Sequence, residues 1–170
     1  MLKINFEGEN AVSALLRIER TMAQPRVLLE RLGMGLAEAT MQRFPRGMSP
    51  GGQQWAPKSE ITRRLYPRSG TRPLIGESKD LATTITHQVT GKAVHVGSRQ
   101  KYAAIHQFGG VIKPKSARML ALGGYTRAKA HGTWAKSVTI PARPYLGIGP
   151  SEIEEINTIV RDWAAEMGFK

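Results

Sequence analysis

Two short stretches decide how this chain folds: Tyr-Ala-Ala-Ile-His-Gln-Phe-Gly-Gly at residues 102–110 and Ile-Pro-Ala-Arg-Pro-Tyr-Leu-Gly at residues 140–147. The first stretch predicts one or two helical turns that end at a double glycine, where the backbone is free to turn into a strand at Val111. In the second, Pro141 and Pro144 also restrict the residues before them, which forces an extended path. We expect three aromatic residues of these stretches to lie in the core: Tyr102, Phe108 and Tyr145.

The positive charge of the chain is concentrated around these two stretches. The formal net charge is +12, and the segment between Asp80 and Glu152 supplies +10 of it, with ten Lys or Arg and no acidic residue. A surface without carboxylates attracts polyanions or an acidic protein face. Because uncompensated cations also repel one another, the pattern favours a facing partner over a merely solvated surface. It favours assembly or binding over acid–base chemistry.

Length and composition indicate one domain that spans residues 1–170. The chain is 41% hydrophobic, which is enough for a real core, and it contains no cysteine. The lack of cysteine excludes disulfides, thiolate nucleophiles and thiolate metal sites, and it fits a reducing compartment. No signal-peptide pattern occurs in residues 1–10, and no apolar run is long enough to span a bilayer. We therefore expect a soluble, cytoplasmic protein without a membrane contact.

Hydrophobic periodicity predicts an α+β fold, with N-terminal helices and a C-terminal helix packed on a small, mainly antiparallel β-sheet with a long basic hairpin or loop. Residues 2–6 alternate like a strand, and helical spacing follows from Asn10 and again from Pro25, as one kinked helix or two. The last helix runs from Ser151, as a capping box with Glu154, to Gly168. Its apolar stripe consists of Ile153, Ile156, Val160, Trp163 and Met167.

The middle of the chain contains two irregular segments and a hairpin. Residues 44–80 are rich in proline and glycine, so we expect an exposed, irregular connection with a short helix at 59–65 and with Trp55 tucked against the core. Residues 83–89 and 93–97 form a predicted β-hairpin. Residues 113–136 form an extended basic loop, in which residues 118–122 and 133–140 are the arms of a long hairpin.

Histidines are the main candidates for chemistry, and each has a simpler interpretation. If Gly91 is the centre of the predicted hairpin turn, His87 and His95 are cross-strand partners, but no acidic residue or cysteine is near them in sequence to complete a metal site. His106 is expected to hydrogen-bond a backbone group and fix the glycine turn, because no nearby carboxylate could orient it as a base. We expect no catalytic, cofactor-binding or metal-binding residue.

Cations of the basic segment are the candidate binding residues. Arg143, held between two prolines, is expected to anchor a carboxylate, either on the same subunit, in the C-terminal helix, or on a neighbour. The sequence leaves these two alternatives open. The predicted assembly interface consists of Lys113, Lys115, Arg118, Arg127, Lys129, Lys136 and Arg143.

The two stretches, in this order and followed by an acidic-capped helix, resemble the phage virion morphogenesis family, the tail-completion proteins of Mu-like and related contractile-tailed phages. The similarity runs from about Phe44 to the C-terminal helix, and more loosely through the N-terminal helices. The resemblance implies a small α+β protein that forms a ring at the head-proximal end of the tail or in the neck, completes the tail and joins it to the head. The matching residues are Trp55, Tyr102, Ala103, His106, Gln107, Phe108, Gly109, Gly110, Pro141, Ala142, Arg143, Pro144, Tyr145, Leu146 and Gly147.

Three classes of function follow from these observations. The first is a non-enzymatic structural protein of the virion, present in the host cytoplasm during assembly, whose partners are other tail or neck proteins and further copies of itself. Whether the isolated chain is a monomer, and whether it touches packaged DNA, stays open. The second is a nucleic-acid-binding protein that places Lys113, Lys115, Arg118, Arg127 and Lys129 on phosphates. The third, a nuclease, lacks ligands, since Asp80 and Asp162 are the two Asp residues of the chain and no paired carboxylates accompany His106.

Overall fold

A computed structural model describes residues 25–122 and 133–168 of the chain. The predicted strand at 2–6, the helix from Asn10 and the hairpin tip at 123–132, with Arg127 and Lys129, lie outside the described residues. Within them the order of elements is α1 Arg26–Arg46, α2 Glu60–Leu65, α3 Asp80–Thr83, β1 Ile85–Thr90, β2 Ala93–Ser98, α4 Ala103–Phe108, β3 Gly110–Ile112, β4 Leu120–Ala121, β5 Trp134–Ala135, β6 Val138–Ile140 and α5 Pro150–Glu166.

The fold is of mixed α+β class with a C-terminal helix, as predicted. The strands pair as three two-stranded antiparallel ladders, β1–β2, β3–β6 and β4–β5, in the described part of the chain. The predicted sheet is thus divided into separate ladders. The β4–β5 ladder pairs the two predicted arms of the long hairpin, 118–122 and 133–140. The β3–β6 ladder pairs the end of the second arm with Gly110–Ile112, which lies outside the predicted arms.

Helix α1 is the element on which the other parts pack. It is longer than predicted, because it continues through Pro45, inside the segment expected to be irregular, and ends at Gly47 in the left-handed region with φ of 69°. Its two internal glycines allow close packing on two sides. A Cβ at Gly33 would meet the rings and methyls of His87 and Val94, and a Cβ at Gly35 would lie 2.9 Å from Ile159 of α5. Helix α1 therefore lies between the β1–β2 hairpin and α5.

The β1–β2 hairpin has a register that differs by one residue from the prediction. His87 lies opposite Val96, and Gln88 lies opposite His95, so the two histidines are not cross-strand partners. The loop contains two residues rather than three, with φ of 59° at Gly91. A shift of one residue places the two side chains on opposite faces of the hairpin, and His87 instead lies 3.1 Å from the Glu30 carboxylate of α1.

Three aromatic rings form the centre of the core. Phe44 is fully buried, and its ring contacts Trp55 edge-on at a centroid distance of 5.6 Å and Tyr145 at 5.4 Å. Leu81 and Ile85 complete this cluster. The predictions for Trp55 and Tyr145 are confirmed. The prediction for Phe108 is wrong, because its side chain is 78% exposed, and Tyr102 is 36% exposed rather than buried.

The N-cap of helix α5 is Gly149, two residues before the predicted Ser151, and the helix is capped differently. Glu152, not Glu154, reaches back to the start of the helix, where its Oε2 accepts a hydrogen bond of 2.8 Å from the Gly149 N–H. Trp163 is buried as predicted. Ile153 and Val160 of the predicted stripe are 50% and 37% exposed. The residues on the buried face of the helix are Glu152 and Trp163 instead.

Candidate assembly interface

Gln107 joins the two motif stretches. Its side-chain oxygen accepts hydrogen bonds from the main-chain N–H groups of Tyr145 and Leu146, each at 3.0 Å, and its amide nitrogen donates to the Leu146 carbonyl at 3.0 Å. The backbone N–H of Arg143 donates to the His106 carbonyl at 2.8 Å. One short helix therefore holds the extended stretch through main-chain contacts, which explains why the two stretches occur together.

Gly109 is required by this close approach. Its φ is 71°, in the left-handed region, and a Cβ there would lie 2.7 Å from the backbone nitrogen of Ala142. Another residue would be strained by its conformation and would also push the extended stretch away. The predicted glycine turn is thus a point of contact between helix α4 and the residues after Pro141.

Arg143 occupies the interior, and the expected carboxylate of the C-terminal helix is not its partner. Its guanidinium donates from Nε to the Ala56 carbonyl and from Nη2 to the Pro57 carbonyl, both at 2.7 Å. The residue is 7% exposed, and burial lowers its pKa. The expected carboxylate partner is therefore replaced by main-chain oxygens, and Arg143 does not belong to an exposed interface of this subunit.

Lys58 organises the segment that the sequence describes as irregular. Its Nζ donates to the carbonyls of Ser69, Gly70 and Ile75 at 2.7, 3.1 and 2.6 Å, and to the Ser69 hydroxyl at 2.9 Å. Burial and the nearby charge of Arg143 lower the pKa of Lys58. The short helix α2, capped by the Ser59 side chain on the Thr62 N–H, is confirmed.

A buried ion pair is the main polar feature that sequence reasoning missed. Nη2 of Arg43 lies 2.6 Å from Oε2 of Glu152, and both side chains are almost completely buried. The contact is an ion pair rather than an aligned hydrogen bond, while Nη1 donates to the Tyr145 carbonyl at 2.7 Å. Burial alone would raise the pKa of Glu152, but the hydrogen bonds from Gly149 and Ser151 and the charge of Arg43 together lower it.

This ion pair connects three parts of the fold that are distant in sequence. Arg43 comes from the last turns of α1, Tyr145 from the second motif stretch and Glu152 from the first turn of α5. The sequence shows only that Arg43 and Glu152 are charged, so their pairing could not be read from spacing. The nearest signal in the sequence is the acidic first turn of the last helix, in which the spacing predicts Glu154 as the capping residue.

His106 is the candidate for acid–base chemistry that lies within the motif cluster itself. Burial, and then the charge of Arg143, lower the pKa of its imidazole, which is therefore neutral at neutral pH. Its Nδ1 is buried without a hydrogen-bond partner in the described structure, and its ring meets Tyr102 edge-on at 5.8 Å. The described residues contain no group of three His, Cys, Asp or Glu side chains that could hold a metal ion.

The remaining predicted interface residues that the structure describes lie on the surface. We call the described residues of 110–122 and 133–140 the basic arm. Its four cations are exposed, and none pairs with a carboxylate in residues 25–122 and 133–168: Lys113, Lys115, Arg118 and Lys136. Exposed apolar side chains accompany them. Val111, Ile112 and Trp134 are 55%, 40% and 47% exposed, beside the 78% exposed Phe108.

A small α+β frame with an internally bonded motif cluster and an exposed basic arm is typical of a protein that contacts other macromolecules. The chain belongs to the phage virion morphogenesis family, whose family model matches residues 6–165. It is similar to "Mu-like prophage FluMu G protein 2" of Haemophilus influenzae, with 28% identity over 164 residues that cover 96% of each chain.

The comparisons confirm the family that the two stretches indicate. Family membership gives the chain a structural role in virion assembly. No solved structure matches the chain. Among the described residues, none of the helices combines the length and apolar character that a bilayer span requires.

Proposed function

We propose that this protein is a non-enzymatic structural subunit that completes the phage tail and joins it to the head through a ring-shaped oligomer at the tail–neck interface. It works in the virion with other tail or neck proteins and is made in the host cytoplasm. Membership in the virion morphogenesis family supports the assembly role. The ring-shaped oligomer and its position in the neck are proposed in addition to this assembly role.

The observation that carries the proposal is the exposed strand β3. All three of its residues are exposed, and it pairs with β6 on one side. A two-stranded ladder with apolar side chains on its surface and cations beside it gains stability when another chain covers it. Nothing in the described subunit covers it, so a neighbouring protein of the virion is the natural partner.

The buried and half-buried polar groups have structural roles that favour a frame over an active site. Arg143 and Lys58 bind main-chain carbonyls, and Glu152 pairs with Arg43 and caps α5. His106 has no carboxylate to orient it among its described partners. A residue used in this way positions backbone segments and offers no activated nucleophile or base.

A null allele in the phage or prophage that encodes the protein tests the proposed function. Lysates are examined by negative-stain electron microscopy, with the wild-type gene supplied in trans as the control. We expect filled heads and separate tails in the mutant and joined particles after complementation. Normal tails joined to heads without the protein would exclude the proposal.

The unpaired cations of the basic arm also favour a second candidate, contact with packaged DNA through phosphates. Such binding weakens steeply with salt, because each phosphate contact releases counterions. Binding of the purified protein to duplex DNA is measured at salt concentrations from about 50 to about 300 mM, where this effect is large. Absent or salt-insensitive binding would eliminate the DNA contact and leave the assembly role in place.

A further inference from the structure

Two surfaces of the described subunit carry unpaired charges of opposite sign. The basic arm carries four exposed cations without described carboxylate partners. In contrast, residues 152–170 contain five acidic and two basic residues. Two of these carboxylates are used inside the subunit, since Glu152 pairs with Arg43 and Glu166 pairs with Arg31. The other three are on α5 and have no ion pair in the described residues.

We call these three carboxylates, Glu154, Glu155 and Asp162, the acidic face. Glu154 and Asp162 are exposed, and Glu155 is partly exposed. Glu155 also lines a cleft of about 450 Å³ between α1 and the start of α5, and Glu38, Arg43 and Arg46 are among its other wall residues. The acidic face is therefore not a flat surface, because it adjoins a concave site of a size that can hold a large side chain.

The basic arm does not reach the acidic face within one described subunit. The β3–β6 and β4–β5 ladders do not pack extensively on α1 or α5, and no ion pair between the arm and α5 is present in residues 25–122 and 133–168. Two unlike, complementary surfaces that stay apart in one subunit can meet only between copies. A contact of this heterologous kind closes into a ring when the rotation between copies permits it.

We propose that the basic arm of one copy docks on the acidic face of α5 of a second copy. The cations Lys113 and Lys115 face Glu154 and Asp162, and the exposed Phe108 supplies the apolar anchor. This inference rests on the proposed ring, for which it names the contact surface. A second copy is favoured over another partner because each copy carries one basic arm and one acidic face. Contacts between copies therefore pair every arm with a face and neutralise both surfaces.

Cross-linking between engineered cysteines tests this contact directly, since the chain has no cysteine of its own. Lys113→Cys and Glu154→Cys are made in separate full-length copies, mixed, and treated with a short bismaleimide at increasing protein concentration. We expect a cross-linked dimer of one copy of each kind. The control pair, Arg63→Cys with Glu154→Cys, places the first cysteine on exposed α2 and should give no dimer.

Charge reversal gives an independent readout. Lys113→Glu with Lys115→Glu makes the arm acidic, and Glu154→Lys with Asp162→Lys makes the α5 surface basic. For each double variant alone, the self-association constant measured by sedimentation should fall at least tenfold. An equimolar mixture of the two variants should restore it, because each arm again meets a face of opposite charge. Arg63→Glu with Arg64→Glu changes the net charge equally and should leave self-association unchanged.

The absence of a 113–154 cross-link, both in concentrated protein and in assembled particles, would overturn the docking proposal. So would arm reversal that abolishes DNA binding but leaves self-association intact, or cross-links from position 113 to a different virion protein. These results are separable from the function test. If the null mutant gives unjoined heads and tails but no 113–154 cross-link forms, the proposed function stands and the proposed interface is rejected. If the cross-link forms but the null mutant gives normal joined particles, the interface stands and the function is rejected.

Discussion

Replacement of Glu152 tests the buried ion pair most sharply. In Glu152→Gln the carboxylate is lost while the side chain keeps its size and an oxygen that can accept the Gly149 N–H. Arg43 then stays buried without its counter-charge, 2.6 Å from the former position of the carboxylate oxygen in a site where both side chains are almost fully covered. Breaking one partner of such a pair costs about 3–5 kcal/mol. Because the helix cap is retained, we expect a loss of about 3 kcal/mol in the free energy of unfolding.

A second substitution separates the charge from the cap. Glu152→Ala should lose about 1 kcal/mol more than Glu152→Gln, because it also removes the acceptor for Gly149. The double variant Arg43→Met with Glu152→Met should be more stable than Glu152→Met alone, since an apolar pair of similar volume leaves no uncompensated charge. Glu154→Gln, on the exposed side of the same helix turn, is the matched control and should change stability by less than about 0.5 kcal/mol.

The assay is urea unfolding at pH 7 followed by tryptophan fluorescence, because Trp55 and Trp163 are both buried. The slope of the transition should stay constant across the series, so that midpoints report stability. A Glu152→Gln variant within about 1 kcal/mol of the wild type, or a double variant no more stable than Glu152→Met, would refute the reasoning.

Three further predictions use the same assay. Arg143→Met should lower the free energy of unfolding by about 2–4 kcal/mol, because two charge-assisted hydrogen bonds are lost while the cost of burying the guanidinium is relieved; a folded variant of wild-type stability would return Arg143 to an assembly role. Gly109→Ala should cost at least about 2 kcal/mol from strain and from the approach of Ala142, whereas Gly52→Ala, with nothing within 4 Å of the added Cβ, should cost less. Stability should fall on acidification in two steps, because the folded state lowers the pKa of both His106 and Glu152 and the unfolded state therefore binds more protons. The first loss begins as pH falls through the ordinary histidine pKa and the second through the ordinary glutamate pKa. In a series of urea titrations His106→Gln should remove the first step, whereas Glu152→Gln should reduce the second, because the hydrogen bond from Arg31 also lowers the pKa of Glu166.

Aromatic residues and local signals made much of the fold predictable. Trp55 stands in a segment of prolines and glycines, where a large ring is explained only by packing, and it does pack on Phe44. The Ser59 cap, the glycine turn after Phe108 and the helix that contains Trp163 also follow from local chemistry. Each of these features depends on residues that are close in sequence.

The features that could not be predicted depend on contacts between distant segments. The buried face of α1 is formed by Gly33, Ala37 and Phe44 rather than by its leucines, because small residues let the hairpin and α5 come close. Arg43 and Arg143 look equivalent in the sequence, yet one binds a carboxylate and the other binds carbonyls. The exposure of Phe108 was missed because an aromatic residue beside a motif is normally core.

The way Lys58 and Arg143 hold residues 56–75 has a consequence for how the family can diverge. Every amino acid offers the same main-chain oxygen, so a segment held through carbonyls can exchange its side chains without losing its anchors. Two positions, 58 and 143, then preserve the path of the whole segment while its outer surface changes freely. Relatives that must fit different neighbouring proteins could therefore alter this surface by simple substitution, with the underlying scaffold left intact.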